Sequence, residues 1–188
     1  MSTEESRAGI RPAREDDFAA VCGIVNHYIR TSTVNFRTEP QTPEEWRQDW
    51  RAHRATHPWY VLERDGAVAG IAYAAPWKAR DAYRWTAETT VYLAPGQHGR
   101  GHGTALYRRL LATLEAQGYR SAMAVVALPN DASARLHRSL GFEQVGLVRA
   151  AGFKLGGWHD VAFWQRVLAE DGRPPGPIGP VPGEGPAD

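Results

Sequence analysis

Hydrophobic residues recur along the chain at two different spacings, and each spacing predicts a kind of element. Over residues 15–30 they return every three or four positions, which predicts an amphipathic helix. A second helix has a well-marked start, because Thr42 can cap it, Pro43 suits its first position and Glu45 completes a capping box. Shorter patterns typical of strands follow this helix.

Two apolar segments, 59–64 and 67–75, flank Asp65-Gly66, a dipeptide that favours a two-residue hairpin turn. The run over 122–128 is continuously apolar, so we expect a strand buried on both faces. The remaining patterns predict strands over 86–93, 143–153 and 158–167 and helices over 103–117 and 130–140. This order predicts an α/β protein of the α+β type, with a mixed, mostly antiparallel sheet flanked by helices.

Composition limits what such a fold can do. A chain of 188 residues fits one domain, and 43% hydrophobic residues are enough for a packed core. The 22 Lys and Arg nearly balance the 21 Asp and Glu, so the basic surface of a nucleic-acid-binding protein is not expected. We predict a folded domain over 8–170 and a disordered tail over 171–188, where six Pro and five Gly leave little that can pack.

Cys22 is the single cysteine, so neither an internal disulfide nor a Cys-rich zinc site is expected, and a reducing, cytoplasmic setting fits best. The first nine residues are polar, unlike a secretion signal, and no apolar run is long enough to cross a bilayer, so no membrane partner is expected. No metal is predicted, because convergent zinc spacing is absent among His27, His53, His57, His102 and His159.

The most informative segment, residues 91–104, joins a predicted strand to a predicted helix through four glycines. Glycines let backbone amides approach an anion, and the first turn of the helix adds unpaired N–H groups and the positive end of its dipole. A phosphate or diphosphate is the expected ligand, although a flexible turn without a ligand fits the loop alone. A Walker A loop is excluded because no Lys-Ser or Lys-Thr follows, and Thr104 stands where a dinucleotide fingerprint has Gly or Ala.

This loop and its surroundings resemble the acetyl-CoA-binding core of the GNAT N-acetyltransferases. The shared features are a strand, the Gly101-x-Gly103 loop, a helix, a strand, Asn130 and a helix that ends in 136–142, LHRSLGF. Within this family, the phosphinothricin N-acetyltransferases are similar, in order and spacing, to segments 24–28, 31–36, 76–80, 85–88, 128–131 and 150–154. The resemblance covers about residues 10–165. It departs from the family at His98, where Gln or Arg is usual, so the side-chain contact there is expected to differ.

The resemblance implies an acetyl-CoA-dependent N-acetyltransferase that acts on phosphinothricin or a close amino-acid analogue, confers resistance and forms a homodimer. It implies Glu88 as the base, through water or a partner, and His137 as either the acid for the leaving thiolate or the amine base. The residues implied to bind acetyl-CoA are Val91, Tyr92, Leu93, Gly99, Arg100, Gly101, His102, Gly103, Thr104 and Asn130. Those implied to bind the substrate are Phe36, Tyr73, Lys78, Arg80, Tyr83, Tyr92 and Val125, with the cations facing its anionic groups.

Three alternatives stay open at this point. The enzyme could acetylate other amino-acid analogues, such as methionine sulfone or sulfoximine, since loop residues set that choice. It could be a CoA-binding regulatory module without catalysis, against which both Glu88 and His137 argue. It could also acetylate protein N-termini, although the bulky Trp77 and Trp85 argue against an open peptide groove.

Overall fold

A seven-stranded sheet runs through the computed structural model, which describes residues 8–182. Its strands are β1 (Ala8–Pro12), β2 (Trp59–Arg64), β3 (Ala67–Pro76), β4 (Thr86–Leu93), β5 (Ser121–Ala127), β6 (Glu143–Lys154) and β7 (Gly157–Val167). Their spatial order is β1-β2-β3-β4-β5-β7-β6, and every neighbouring pair is antiparallel except β4 and β5. The predicted mixed, mostly antiparallel sheet is confirmed.

Helices pack on both faces of this sheet. They are α1 (Phe18–Thr31), α2 (Pro43–His53), α3 (His102–Gln117) and α4 (Asp131–Ser139), with short 3-10 turns at Glu15–Asp17 and Asp81–Tyr83. The capping box of α2 forms as predicted, because the Glu45 amide donates to the Thr42 hydroxyl and the Thr42 amide donates to the Glu45 carboxylate. No helix within residues 8–182 has the length and apolar character that crossing a membrane requires.

Two hydrophobic clusters fill the two sides of the sheet. On one side α1 and α2 cover β2 and β3, and the buried residues there include Phe18, Val25, Trp46, Trp50, Trp59 and Ile71. On the other side α3 covers the sheet centre, and the buried residues include Leu106, Tyr107, Leu110, Leu114, Ala124 and Trp164. Because successive residues of a strand point to opposite faces, β2 and β3 contribute to both clusters.

The last part of the described chain differs from the predicted disorder. Residues 171–182 form no helix or strand, yet they lie against the far end of α3, where the Gln117 side-chain amide donates to the Gly179 carbonyl and the Gly179 amide donates to the Gln117 carbonyl, both at 2.8 Å. The Trp85 indole donates to the Gly176 carbonyl, and Val181 is buried. Backbone groups of this segment supply these hydrogen bonds, which composition does not reveal, and Ile178 packs against the cluster on the α3 side. Residues 183–188 lie outside the described chain, and the boundary at residue 170 stays a prediction.

Candidate active site

The parallel strands β4 and β5 are paired only at their starts, where Thr86–Glu88 lie beside Ser121–Met123. Beyond Glu88 the strands part, and a cavity of about 620 Å³ opens between them, within the range of small-molecule sites. Its wall comes from the ends of β4 and β5, the glycine loop and α4. Val125 of β5 is therefore 41% exposed, which corrects the prediction that this strand is buried on both faces.

The glycine loop forms one end of the cavity. Gly99 and Gly101 have φ angles of 75° and 77°, in the left-handed region that glycine adopts without strain, and a Cβ on either residue would meet nothing within 4 Å. The Ala105 amide makes a hydrogen bond to the Gly101 carbonyl, whereas the amides of the preceding first-turn residues have no partner inside the helix. The loop and the α3 N-terminus thus provide donors and open space for an anion.

His98 connects this loop to helix α1. The Tyr28 hydroxyl lies 2.6 Å from the Leu93 carbonyl oxygen and 2.8 Å from His98 Nε2. A carbonyl can only accept, so the single hydroxyl hydrogen of Tyr28 goes to Leu93 and His98 Nε2 donates to Tyr28. The histidine that departs from the family pattern therefore holds the loop against α1.

Most residues implied to bind acetyl-CoA lie together at this cavity. Those that line it are Val91, Tyr92, Leu93, Gly99, Gly101, Gly103, Thr104 and Asn130. Arg100 and His102 lie outside this lining: Arg100 is exposed, and His102 Nε2 lies 3.2 Å from a guanidinium nitrogen of Arg64 on β2. The expectation that both contact the ligand thus has no support from their placement.

His137 lines the cavity from α4, although its side chain is almost fully enclosed. The residue is 4% exposed, and its ring contacts those of Phe142, at a centroid distance of 5.0 Å, and Trp164, at 5.9 Å. Burial lowers the pKa of the imidazole, because an apolar environment disfavours the charged form. The ring is therefore neutral near pH 7.

Glu88 is the last β4 residue paired with β5, and it points to the opposite face of the sheet from His137. Its neighbour Thr89 makes a hydrogen bond to Tyr107 on the α3 side, so the alternation of the strand directs Glu88 to the α1 side. Burial raises the pKa of the carboxyl group, and the nearby charge of Lys78 opposes that rise. The two implied catalytic residues thus approach the parting of the strands from opposite faces.

The residues implied to bind the substrate are less closely grouped. Tyr92 and Val125 line the cavity, while Tyr73 stacks on Trp59 with ring centroids 4.4 Å apart. The Phe36 ring packs so closely on Gly152 that any Cβ at that position would overlap it. Lys78, Arg80 and Tyr83 are exposed in the segment between β3 and β4, with Lys78 Nζ 4.6 Å from the centre of the Trp77 ring. Of these three, Lys78 is linked to the site because its positive charge lowers the pKa of Glu88.

Comparison with known proteins identifies the family to which this fold and cavity belong. Residues 23–142 match the acetyltransferase (GNAT) family. The chain belongs to the GNAT acetyltransferase family. The sheet that parts between β4 and β5, flanked by four helices, is accordingly the GNAT fold.

Several members of the GNAT family are similar over nearly the whole chain. A phosphinothricin N-acetyltransferase from Streptomyces viridochromogenes is 58% identical over 96% of this chain and 98% of its own. An L-methionine sulfoximine/L-methionine sulfone acetyltransferase from Salmonella typhimurium is 34% identical, over 88% of this chain and 97% of its own. The crystal structure of a phosphinothricin acetyltransferase from Sinorhizobium meliloti in complex with acetyl-CoA is 35% identical, has a TM-score of 0.85 and covers 90% of this chain and 93% of its own.

Two residues that the sequence analysis did not select hold the wall of this GNAT site. The buried ammonium group of Lys154 donates to the Asn35 carbonyl at 2.5 Å, and the Asn35 side-chain amide donates to the Tyr92 hydroxyl at 3.0 Å. They fix the segment that carries Phe36. Both residues lie in segments that carry the family resemblance, but a lysine at the end of a strand normally reaches solvent, so the sequence did not indicate this contact. Within residues 8–182, no group of three or more His, Cys, Asp or Glu is arranged to hold a metal ion.

We predict that Gly101→Val weakens acetyl-CoA binding by at least about tenfold, because a β-branched residue is strained at positive φ and fills the space that the anion needs. Isothermal titration of CoA into the folded variant measures this. Gly96→Val is the matched control, since Gly96 also has positive φ, at 80°, and open space around it but does not line the cavity. Equal affinity in both variants would mean that the loop is only a turn.

We also predict that kcat/KM falls at low pH because Glu88 becomes protonated, and we call this part of the pH profile its acidic limb. A base acts when deprotonated, so activity falls as the pH drops through its pKa, which burial raises above the ordinary value for Glu. Lys78→Met should move the limb to higher pH by removing an attractive charge, whereas Lys78→Arg should leave it in place. Steady-state profiles from pH 5 to 9 test this, and a limb that persists unchanged in Glu88→Gln would assign it to another group.

Proposed function

We propose that this chain is an acetyl-CoA-dependent N-acetyltransferase that acetylates the amino group of phosphinothricin or a close amino-acid analogue. The observation that carries the proposal is the cavity at the parting of β4 and β5, with the glycine loop at one end and His137 in its wall. Backbone amides at the loop and the α3 N-terminus suit the diphosphate of acetyl-CoA. Beyond Glu88, the edge of β4 that β5 leaves suits the amides of the pantetheine arm.

The chemistry requires two proton movements. An α-amino group has a pKa of about 7.7 to 8.0, so it must first lose a proton before its nitrogen can attack the acetyl carbonyl. Glu88, whose pKa burial raises, takes this proton through water from the α1 side of the sheet. After the attack the nitrogen carries a second surplus proton, and the departing sulfur needs one. We assign this second transfer to the His137 side of the site.

Phosphinothricin is a glutamate-like amino acid with a phosphinate group, so its site requires cations and an apolar wall. Lys78 and Arg80 provide the cations, and we propose that this exposed segment closes over the anionic groups when the substrate binds. Tyr83, in the same segment, supplies a hydrogen bond, and the remaining wall comes from Phe36, Tyr73, Tyr92 and Val125. The phosphinothricin acetyltransferases among the relatives support this substrate, and the methionine sulfoximine enzyme supports related amino-acid analogues as the alternative.

Acetylation removes the positive charge of the amino group, which would abolish recognition of the compound as an amino acid, so we propose detoxification and herbicide resistance as the outcome. A regulatory module that binds CoA without catalysis is less well supported. It has no need of a buried imidazole at the cavity or of a carboxylate with a raised pKa on the other face of β4. The single cysteine, Cys22, and the use of acetyl-CoA support a cytoplasmic location.

We predict that the enzyme releases CoA thiol with phosphinothricin and that Lys78→Met or Arg80→Met lowers kcat/KM for it by about 10- to 150-fold, the cost of one charge-assisted hydrogen bond. Arg80→Lys should also reduce it, because an ammonium group cannot form a bidentate pair. Arg84→Met is the matched control, since Arg84 is also exposed and lies over an indole, that of Trp85, at 5.1 Å.

The thiol assay is run on phosphinothricin, methionine sulfone, methionine sulfoximine and amines without a second anionic group. The losses of kcat/KM in the Lys78 and Arg80 variants should be small on the amines without a second anionic group, and acetyl-CoA affinity should not change. An equal loss on every amine would give this segment a structural role. If the wild-type enzyme acetylates methionine sulfone much faster than phosphinothricin, the assigned substrate becomes methionine sulfone.

We also propose a homodimer formed through the β6–β7 hairpin. This edge of the sheet exposes several large apolar side chains, namely Val145, Leu147, Val148, Phe153, Leu155 and Trp158, the last 67% exposed. Exposed apolar side chains gathered on one hairpin favour contact with a second copy of the chain. We predict a dimer in sedimentation equilibrium, and a shift towards monomer in Trp158→Glu; a monomeric wild type at micromolar concentration would refute it.

A further inference from the structure

Residues 34–36, which we call the wall segment, connect the cavity to strand β6. The first of them, Val34, lines the cavity, as does Tyr92. The Asn35 side-chain amide donates to the Tyr92 hydroxyl at 3.0 Å, and the Asn35 carbonyl accepts from Lys154 of β6 at 2.5 Å. A displacement of the wall segment therefore reaches the cavity through two neighbouring residues.

The third residue of the wall segment, Phe36, packs on Gly152 of β6 with no space between them. A Cβ on Gly152 would overlap two ring carbons, one of them at 2.6 Å, where carbon atoms in contact normally lie about 3.5 to 4.0 Å apart. Gly152 does not have a left-handed φ, so its backbone conformation would accept alanine. The ring of Phe36, rather than the backbone, is what requires glycine here.

An irregularity in β6 brings Gly152 to this position. The pairing of β6 with β7 shifts between Val148 and Gly152, and Ala150 within the shift has a φ of 46°, which alanine adopts only at a cost. The Ala150 amide donates to the Asp160 carboxylate of β7 at 2.8 Å, which holds the irregular backbone in place. Regular pairing resumes at Gly152, which lies opposite His159.

The alternation of the strand then directs two residues to the same partner. Gly152 and Lys154 are two positions apart, so both face the wall segment, and both contact it. Phe153, which lies between them, points to the other face and is exposed. The end of β6 thus fixes the wall segment by one steric contact and one hydrogen bond.

We propose that Gly152 is a specificity-determining residue of the substrate site, because its missing side chain sets the position of Phe36. Lys154 is a positioning residue that holds the same segment, and Asp160 is a positioning residue that acts through β6. The inference rests on the proposed function, which places Phe36 in the wall around the substrate, and it names what fixes that wall.

A methyl group on Gly152 has to displace either the ring or the strand. The strand is paired with β7 on both sides of Gly152, so the ring and the wall segment move more easily. That movement changes the cavity at Val34 and Tyr92. The backbone of β4 stays in place, because it is paired with β3 as far as Leu93. We therefore expect an effect on the amine substrate and little effect on acetyl-CoA.

The first experiment measures steady-state kinetics of Gly152→Ala. We expect KM for phosphinothricin to rise about tenfold, with kcat and acetyl-CoA affinity nearly unchanged, since binding of the substrate is what the moved wall weakens. Gly146→Ala is the matched control, because Gly146 is also in β6 without a left-handed φ, and its Cβ would meet Phe163 at an ordinary 3.7 Å. An unchanged KM in folded Gly152→Ala would overturn the proposal.

The second experiment tests the contact itself by a double-mutant cycle. Phe36→Ala removes the ring that the new methyl group overlaps, so adding Gly152→Ala to it should not raise KM any further. If Gly152→Ala raises KM equally in both backgrounds, the substitution acts through β6 and not through Phe36, and the proposal is wrong.

The third experiment asks whether Lys154 acts through its hydrogen bond. Lys154→Met loses the donor to the Asn35 carbonyl and should raise KM for phosphinothricin, whereas Lys154→Arg keeps a donor and should recover part of the loss. A purely structural role would lower the melting temperature of both variants and leave KM as it is in the wild type.

A measurement without substrate separates this inference from the proposed function. With fluorinated phenylalanine at the five Phe positions, the fluorine-19 NMR signal of Phe36, assigned by its loss in Phe36→Ala, should shift in Gly152→Ala and not in Gly146→Ala. A signal that stays in place would refute the inference even if phosphinothricin is acetylated. If another amine of the panel is the substrate, the substrate assignment fails, and KM for that amine tests Gly152.

Discussion

The parting of β4 and β5 is the constraint on which the rest of the structure depends. Parallel strands that separate after three residues leave backbone groups without a sheet partner, which is costly unless a ligand or water satisfies them. The cavity, the exposed position of Val125 and the approach of α4 to the end of β4 all follow from this separation. A cavity here is therefore a property of the sheet, and the glycine loop adds open space and backbone amide donors at one end of it.

The alternation of β4 divides the chemistry between two faces. Glu88 and Thr89 are neighbours in sequence, yet one points to the α1 side and the other to the α3 side. A carboxylate whose pKa is raised by burial thus stands on the face with the aromatic residues Tyr73 and Tyr92, and a neutral imidazole stands on the other. Two proton movements of one reaction can proceed at the same strand without exchanging protons with each other.

The sequence predicted those features that local chemistry determines. The capping box at Thr42, the hairpin at Asp65-Gly66, with φ angles of 51° and 77°, and the glycine loop are all encoded within a few residues. Features that depend on contacts between residues far apart in the sequence could not be predicted from it. Nothing near Lys154 indicates that its ammonium group meets the Asn35 carbonyl, 119 positions away, and the spacing of Glu88 and His137 does not say that they lie on opposite faces.

Helix α3 is held at both of its ends by elements of different origin. Its N-terminus lies at the glycine-loop end of the cavity, and its C-terminus is joined through Gln117 to the backbone of Gly179. A rigid helix transmits displacement along its axis, so the segment that follows the last strand is mechanically connected to the glycine loop across sixteen helical residues. A fusion partner or affinity tag placed after this segment would therefore act on the helix whose first turn faces the cavity.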